Sequence, residues 1–367
     1  MIGHASKKYI LIDVVLPTER IEDAKHNLAE TVSLIKTYGD GTIVKIIQRR
    51  AHPHPGTYIG TGKAAEIADI VKTNRIDTVI VNGLAKSTQL YNLLKIYWDV
   101  NPNIEVWDRV DLILHIFAKH AQTAEAKLQI ELASLRHMGP RMYGLSEELG
   151  RQAGGIGTRG AGETNIELMK RHWRNQMKKT SDQLDKLSND RQLQLERRRK
   201  QGFRTVSIVG YTNAGKTSLF NVLANKQKLT KDVLFATLDS VVGYLYFPDT
   251  NKQALITDTI GFIRQLPPSL IDAFKSTLME SINADLLLHV IDAADPRMYE
   301  KIQTVEHILS ELKIENKPII QVFNKIDVLS EQQIEELKKL KNESNVFISA
   351  NENMGIEKLK KIILQSI

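Results

Sequence analysis

Residues 205–217 read TVSIVGYTNAGKT. The first five residues predict a short buried strand, and the next eight, Gly210 to Thr217, fit the pattern G-x-x-x-x-G-K-[ST]. Glycines let the backbone N–H groups of such a loop face bound phosphates, while the lysine adds a positive charge and the hydroxyl can bind Mg²⁺. The stretch therefore predicts an α/β fold class with a P-loop domain, built on a doubly wound, mostly parallel sheet.

Three further elements follow on the ends of predicted strands. Asp258-Thr-Ile-Gly261 offers a carboxylate for the Mg²⁺ shell and a backbone N–H for a γ-phosphate. Asn324-Lys325-Ile-Asp327 ends in a carboxylate that can accept two hydrogen bonds from guanine, whose exocyclic amine adenine lacks. Ser349-Ala350 can present backbone N–H groups to the guanine carbonyl oxygen. In this order, the elements predict that 202–367 is a GTPase domain that hydrolyses GTP to GDP and phosphate.

These motifs assign roles to individual residues. We expect catalytic roles for Lys216, Gly261 and Thr237, which lies in the segment LFATLD and is placed to act as the switch threonine. We expect Thr217 and Thr237 to bind Mg²⁺. The residues expected to bind the nucleotide are Gly210, Tyr211, Thr212, Asn213, Ala214, Gly215, Lys216, Thr217, Ser218, Asp258, Gly261, Asn324, Lys325, Asp327, Ser349 and Ala350.

Two positions concern the rate of hydrolysis. Phe262 follows the DTIG glycine, where Ras-type proteins place a glutamine that orients the attacking water. Because an apolar side chain cannot orient water, we expect either that hydrolysis is slow until a partner completes the site or that another group positions the water. Asn213 could help to bind K⁺ beside the phosphates, or it could hold the shape of the loop.

The first 107 residues alternate β-branched runs with helical patterns, and they predict a small parallel α/β subdomain. Within it, Gly60-Thr-Gly-Lys63 resembles a phosphate loop but lacks the required glycine spacing, so we expect no nucleotide there. Several histidines show no spacing with carboxylates that indicates a metal site, and we expect surface or packing roles for them. They are His52, His54, His115, His120, His137 and His172.

Residues 108–201 predict a long antiparallel helical hairpin. Apolar residues recur at helical spacing over 108–138, which contains no glycine or proline, and again over 164–201. The joining segment 139–163 holds eight of the 21 glycines and three arginines. It is either a floppy linker or a flexible cationic tip that fits against phosphates.

The composition restricts the class of protein. The chain has 367 residues, a net charge of +7 and no cysteine, which excludes disulfides, thiol catalysis and Cys-ligated zinc. Positive charge is concentrated in 170–204, where twelve Lys or Arg accompany four Asp or Glu. No apolar run reaches the roughly 18 residues of a membrane span, and the first residues lack a signal-peptide layout. We expect a monomeric, soluble, cytoplasmic protein with an RNA-rich partner.

Several stretches match one known family: GTYIGTGKAAEI from Gly56, WDRVDLILHIFAKHAQTAEAKLQIELA from Trp107, GGIGTRGAGET from Gly154, and the GTPase motifs. The sequence resembles the HflX family of ribosome-associated GTPases. The resemblance implies an N-terminal α/β subdomain, a hairpin that reaches into the large ribosomal subunit near the peptidyl-transferase region, and a GTPase domain using GTP, GDP and Mg²⁺. The partners that it implies are the large ribosomal subunit and its ribosomal RNA.

Two departures limit the resemblance. Leu168-Met169-Lys170-Arg171 stands where the family usually has an acidic residue and two arginines, and the chain ends at Ile367, so we expect no extra C-terminal domain. The result of ribosome binding stays open between splitting or rescuing stalled ribosomes and timing the assembly of a subunit. A metabolic GTP-dependent enzyme is disfavoured, because no second set of convergent catalytic side chains is visible.

Overall fold

The structure is a computed structural model, and it describes most of the chain. The described residues are 7–153, 161–226, 235, 241–264, 270, 278–339 and 345–367, without the side chains of 21, 140–153 and 161–166. Thr237 and the central part of the glycine-rich segment, 154–160, lie outside the described residues.

The chain divides into two compact units. The first consists of Met1–Lys119 with Leu128–Gln183, and the second of His120–Lys127 with Leu184–Ile367. The expected division into three domains, 1–107, 108–201 and 202–367, remains a prediction.

The first unit begins with alternating strands and helices. The strands are β1 (Lys7–Val15), β2 (Gly41–Arg49), β3 (Thr78–Val81) and β4 (Glu105–Trp107), and the helices between them are α1 (Ile21–Tyr38), α2 (Thr61–Asn74) and α3 (Ser87–Trp98). All strand pairs are parallel, in the order β2-β1-β3-β4. Ile10 and Ile12 of β1 share a buried cluster with Ile67 of α2 and Leu93 of α3. The predicted α/β arrangement of this part is confirmed.

Three helices follow: α4 (Arg109–His120), α5 (Ala124–Ala153) and α6 (Ala161–Lys200). The prediction of one helix over 108–138 is wrong, because α4 ends at His120 and a new helix begins at Ala124. The Thr123 hydroxyl accepts a hydrogen bond from Ala126 N at 3.1 Å and so caps the start of α5. The cap allows a new helix to start at this point, so α4 and α5 are separate although the segment contains no glycine or proline.

The predicted loop over 139–163 is also wrong in its first part, since α5 continues through Gly139 to Ala153. Gly139 is needed for packing: a Cβ at this position would lie 2.7 Å from Trp173 Nε1 of α6. The same indole nitrogen donates a hydrogen bond to Leu135 O at 3.0 Å. This glycine lets the two helices approach each other and does not end α5.

Helices α5 and α6 run antiparallel where the first unit contains them. Trp173 donates to Leu135 O, and about two α6 turns further along the chain Thr180 Oγ1 donates to Glu131 Oε1 at 3.2 Å. The contact thus moves backward along α5 as it moves forward along α6.

The second unit contains a six-stranded sheet. Its strands are β5 (Arg204–Gly210), β6 (Val241–Phe247), β7 (Lys252–Asp258), β8 (Leu286–Asp292), β9 (Ile319–Asn324) and β10 (Asn345–Phe347). The order is β10-β9-β8-β5-β7-β6, and all pairs are parallel except β6 with β7. The helices described around it are α7 (Lys216–Ala224), α8 (Met279–Asn283), α9 (Met298–Glu311), α10 (Glu331–Lys339) and α11 (Ile356–Ser366). Strand β6 was not predicted.

The core of this unit positions the strand ends. Phe220 of α7 and Leu359 of α11 belong to one buried cluster with the apolar side chains of the strands. Because parallel strands end at the same edge of a sheet, Gly210, Asp258 and Asn324 come to a common crevice. Among the helices that the structure describes, none has the length and apolarity needed to cross a membrane.

Candidate nucleotide site

The loop between β5 and α7 has a backbone that only glycine allows at two positions. Gly210 has φ +148° and Gly215 has φ +91°, in the region that L side chains rarely adopt. A Cβ on Gly210 would clash with Val290 O, and one on Gly215 would clash with Asn324 Nδ2. The loop is therefore pressed tightly against the ends of two neighbouring strands.

The backbone of this loop offers donors to a ligand. Within the described residues, four of its N–H groups donate to no acceptor, namely those of Asn213, Gly215, Lys216 and Ser218. Thr212 Oγ1 is also buried without a partner there. Unpaired N–H groups at the start of a helix attract anions, and the helix dipole adds to the attraction. The loop therefore fits a chain of phosphates.

Lys216 brings the positive charge into this cradle. Its Nζ donates a hydrogen bond to Tyr211 O at 2.7 Å, and an ammonium group has two further donors for phosphate oxygens. Burial lowers the pKa of Lys216 to about 8, although the Asp258 carboxylate opposes the shift. A bound anion would raise the pKa of Lys216 again, because it favours the protonated, charged form of the side chain.

Two oxygens beside the loop fit a hard cation. Thr217 Oγ1 donates a hydrogen bond to Asp258 Oδ2 at 2.9 Å, so the hydroxyl and the carboxylate already lie together. Oxygen ligands of this type are those that Mg²⁺ prefers. The predicted metal ligand Thr217 therefore has a carboxylate neighbour, whereas Thr237 lies outside the described residues.

Gly261 lies directly against the phosphate loop. A Cβ at this residue would lie 2.8 Å from Thr212 Cγ2 and 2.9 Å from Lys216 Nζ. Gly261 is buried, and in the described part of the chain its N–H donates to no acceptor. Buried N–H groups are rarely left unpaired, so this one fits a ligand atom. The next side chain, Phe262, is only 1% exposed and cannot orient a water molecule.

The elements predicted to bind guanine contact the same loop through Asn324. Asn324 Nδ2 donates to Ala214 O at 3.0 Å, while Asn324 Oδ1 accepts from Ala350 N at 3.0 Å. Lys325 is fixed by an ion pair with Asp292 Oδ2 at 2.7 Å. Asp327 is exposed, and among the described residues its carboxylate accepts no hydrogen bond. That carboxylate is free to contact a base.

The positions of the remaining predicted residues do not by themselves indicate a ligand. Asn213 is exposed with φ +63°, which suits either a role in loop shape or a cation site. Ser349 lies two residues after the end of β10, and its hydroxyl accepts a hydrogen bond from Glu352 N at 3.1 Å. Ser218 is half-buried in the first turn of α7.

Sequence reasoning missed one buried titratable residue. His289 lies inside the apolar strand β8, and burial together with the Lys216 charge lowers its pKa to about 4. Its imidazole is therefore neutral near pH 7 and adds no second cation beside Lys216. The signal that could have revealed it is a histidine in the middle of the otherwise apolar run LLLHVI.

Comparisons with known proteins agree with this geometry. Three family models match successive regions: "GTP-binding GTPase N-terminal" over 25–118, "GTP-binding GTPase Middle Region" over 120–198, and "50S ribosome-binding GTPase" over 205–325. The chain is 42% identical over 357 residues to the GTPase HflX of Caldanaerobacter subterraneus subsp. tengcongensis, covering 97% of this chain and 80% of that protein. It is 38% identical over 365 residues to the GTPase HflX of Escherichia coli strain K12, covering 99% and 83%. The chain belongs to the HflX family of GTPases.

A solved structure resembles this HflX-family chain over nearly its full length. A GTP-binding protein from Sulfolobus solfataricus, solved in complex with GDP, is 26% identical with a TM-score of 0.51 and covers 98% of each chain. The crystal structure of the SsGBP and GDP complex is 27% identical with a TM-score of 0.55, and the match covers 98% of each chain. The HflX-family chain is thus a GTP-binding P-loop GTPase, as its motifs predicted.

In this HflX-family chain the glycine-rich turn 60–63 of the first unit is held by contacts within that unit. Gly60 N donates to Gln48 Oε1 at 2.7 Å, and Lys63 forms an ion pair with Glu66 on the exposed side of α2. Lys63 is thus engaged one turn along its own helix.

One histidine does meet carboxylates, which its sequence spacing did not reveal. His137 Nε2 lies 3.1 Å from Asp108 Oδ1 and 3.5 Å from Asp111 Oδ1. The Asp108 oxygen also accepts hydrogen bonds from Val110 N and Asp111 N, both at 2.9 Å, and so caps α4. The group is a helix cap that anchors His137 of α5 to the start of α4.

Proposed function

We propose that this GTPase binds the large ribosomal subunit in its GTP-bound state and splits or rescues stalled ribosomes, with ribosomal RNA as the surface that the hairpin contacts. The proposal depends chiefly on three residues of α6, Arg171, Arg174 and Lys178, here named the basic ridge. All three are exposed, and within the described residues none of them forms an ion pair. Their spacing of three and four residues places them on one helix face.

A row of free cations suits a nucleic-acid backbone. Each exposed ammonium or guanidinium group can replace a counterion of a phosphate, which favours binding at low salt. The description of the matching GTPase-domain model as a "50S ribosome-binding GTPase" supports the same partner.

We infer the following roles at the nucleotide. Thr217 and Asp258 hold Mg²⁺, with Thr237 as a further ligand, and the bound ion neutralises charge on the β- and γ-phosphates. Lys216 and the Gly261 N–H stabilise the γ-phosphate during hydrolysis.

The base and a second cation involve other residues. Asp327 accepts two hydrogen bonds from guanine, and the backbone of Ser349 and Ala350 contacts the guanine carbonyl. Asn213 is the residue that we propose to contact K⁺. Because the buried Phe262 leaves the attacking water without a side-chain partner, hydrolysis is slow until the ribosome completes the site.

The test is sedimentation of intact ribosomes in sucrose gradients with the protein and GTP, a nonhydrolysable GTP analogue or GDP. We expect the intact peak to decrease with GTP and the analogue, and the protein to migrate with the large subunit. A variant with Gln at all three positions of the basic ridge is expected to leave the peak intact. Binding to precursor particles alone, without loss of intact ribosomes, would instead indicate an assembly factor.

A further inference from the structure

Three hydrogen bonds join the phosphate loop to the segment that follows Asp258. Phe262 N donates to Gly210 O at 3.1 Å, and Thr212 N donates to Phe262 O at 2.8 Å. The third is different in kind, because Arg264 N donates to the side-chain oxygen of Tyr211 at 2.9 Å. One side chain of the phosphate loop thus holds the backbone of a separate segment.

The Tyr211 ring is held firmly enough to act in this way. Tyr211 is 4% exposed, and Lys301 Nζ lies 4.8 Å from the centre of its ring. Lys301 is in turn ion-paired with Asp295, in the turn between β8 and α9. A cation over the face of a buried ring favours one ring orientation. The orientation of the Tyr211 ring, and so the direction of its hydroxyl, therefore depends on Lys301 of α9 and on Asp295 after β8.

The segment that Tyr211 holds contains the unpaired N–H of Gly261. Gly261 immediately precedes Phe262, whose backbone forms two of the three hydrogen bonds, and Arg264 forms the third. Gly261 is also in close contact with Thr212 and Lys216, where even a Cβ would not fit. Its position is therefore fixed by the hydrogen bonds of the residues that follow it and by its close packing against the phosphate loop.

We propose that the Tyr211 hydroxyl is a positioning group for GTP hydrolysis: it fixes the 261–264 backbone against the phosphate loop and so presents the Gly261 N–H to the γ-phosphate. This rests on the role proposed above for Gly261. A donor that is already in place costs no reorganisation when negative charge develops on the γ-phosphate. GDP has no γ-phosphate, so the hydroxyl matters for GTP and not for GDP.

The test is Tyr211→Phe in the full chain without ribosomes. This change keeps the ring and the contact with Lys301, and it removes the hydroxyl oxygen that accepts from Arg264 N. We expect GDP affinity to stay within about twofold, while affinity for a nonhydrolysable GTP analogue and the single-turnover rate of hydrolysis each fall roughly 3- to 10-fold. Tyr244→Phe, at an exposed tyrosine of β6, is the matched control and should change none of these.

Two results would overturn the proposal. One is a GTP-analogue to GDP affinity ratio that is unchanged or increased in Tyr211→Phe. The other is a lower melting temperature with equal losses for both nucleotides, which would make the hydroxyl a packing group. Gly261→Ala is measured in parallel. If it alters the ratio and Tyr211→Phe does not, only the role of Tyr211 fails; if neither alters it, the proposed role of Gly261 fails.

Discussion

The side chain of Asn324 donates a hydrogen bond from Nδ2 to the carbonyl oxygen of Ala214 at 3.0 Å. Its other amide atom accepts a hydrogen bond from Ala350 N. One buried amide thus connects the phosphate loop, the end of β9 and Ala350, which lies three residues after the end of β10. These are three parts of the proposed nucleotide pocket. The spacing between the base end and the phosphate end of the pocket therefore depends on this residue.

We predict that Asn324→Ala weakens GDP and GTP binding by the same factor, because neither hydrogen bond involves the γ-phosphate. Removal of the amide leaves two buried backbone groups without partners, so the free energy of unfolding should fall by about 2 kcal/mol or more. Calorimetric titration and chemical denaturation measure the two effects. Asn175→Ala, at an exposed position of α6, serves as the control. A loss confined to GTP would contradict the prediction.

A second prediction concerns the base. Asp327→Asn should lower affinity for GDP and GTP roughly 10- to 100-fold, since hydrogen bonds to a charged acceptor contribute about 1.5–3 kcal/mol. Affinity for xanthosine diphosphate should increase, because an amide can donate to the oxygen that replaces the guanine amine. The melting temperature should not change, as Asp327 is exposed. Glu331→Gln makes the same charge change at a nearby exposed residue, and an equal effect there would refute the assignment of Asp327 to the base.

The positions of the residues proposed for this pocket could be predicted because these residues follow strands. The run TVSIV ends at Gly210, and the sheet then brings Gly210, Asp258 and Asn324 to one edge without further information. Strand β6 was missed because it joins the sheet as an antiparallel edge, paired with β7 across the turn Pro248–Thr250. Such an edge strand interrupts the regular alternation of strand and helix on which the prediction relied.

Tertiary contacts explain the other differences. Gly139 was interpreted as a loop residue, yet it allows α5 to pass close to Trp173. The hydrogen bond between Tyr211 and Arg264 joins residues 53 positions apart, and no motif spacing indicates it. Likewise, His137 meets Asp108 only because α5 folds back along α4. A single sequence contains no direct record of such contacts.

The buried lysine predicts a pH dependence of binding. With its pKa lowered to about 8, Lys216 is protonated below that pH and loses its proton above it, whereas bound phosphates favour the protonated form. Binding should therefore take up almost no proton at pH 7.0 and roughly three-quarters of a proton at pH 8.5, with affinity falling above pH 8. Calorimetric titration in buffers of different ionisation enthalpy measures the number of protons taken up per nucleotide bound.

The control for this pH dependence is Lys216→Ala. It should bind GTP far more weakly and show no proton uptake at pH 8.5, because the titrating group is gone. Unchanged proton uptake in this variant would assign the pH dependence to another residue. His289 titrates near pH 4, well below this range, and does not interfere.

The last prediction concerns the basic ridge and the partner of the hairpin. Replacement of Arg171, Arg174 and Lys178 by Gln should weaken binding to large ribosomal subunits and reduce the slope of log affinity against log salt by about 2 to 3, since up to three phosphate contacts are lost. A control variant replaces Lys25, Lys45 and Lys72 by Gln. These lysines are exposed on α1, β2 and α2 of the first unit, so the net charge changes equally.

Binding is measured at several salt concentrations, and GTP hydrolysis without ribosomes should be the same in both variants. If the control lowered the salt slope as much as the ridge variant, the attraction would come from overall charge and not from one helix face, and the proposed RNA contact on α6 would be wrong.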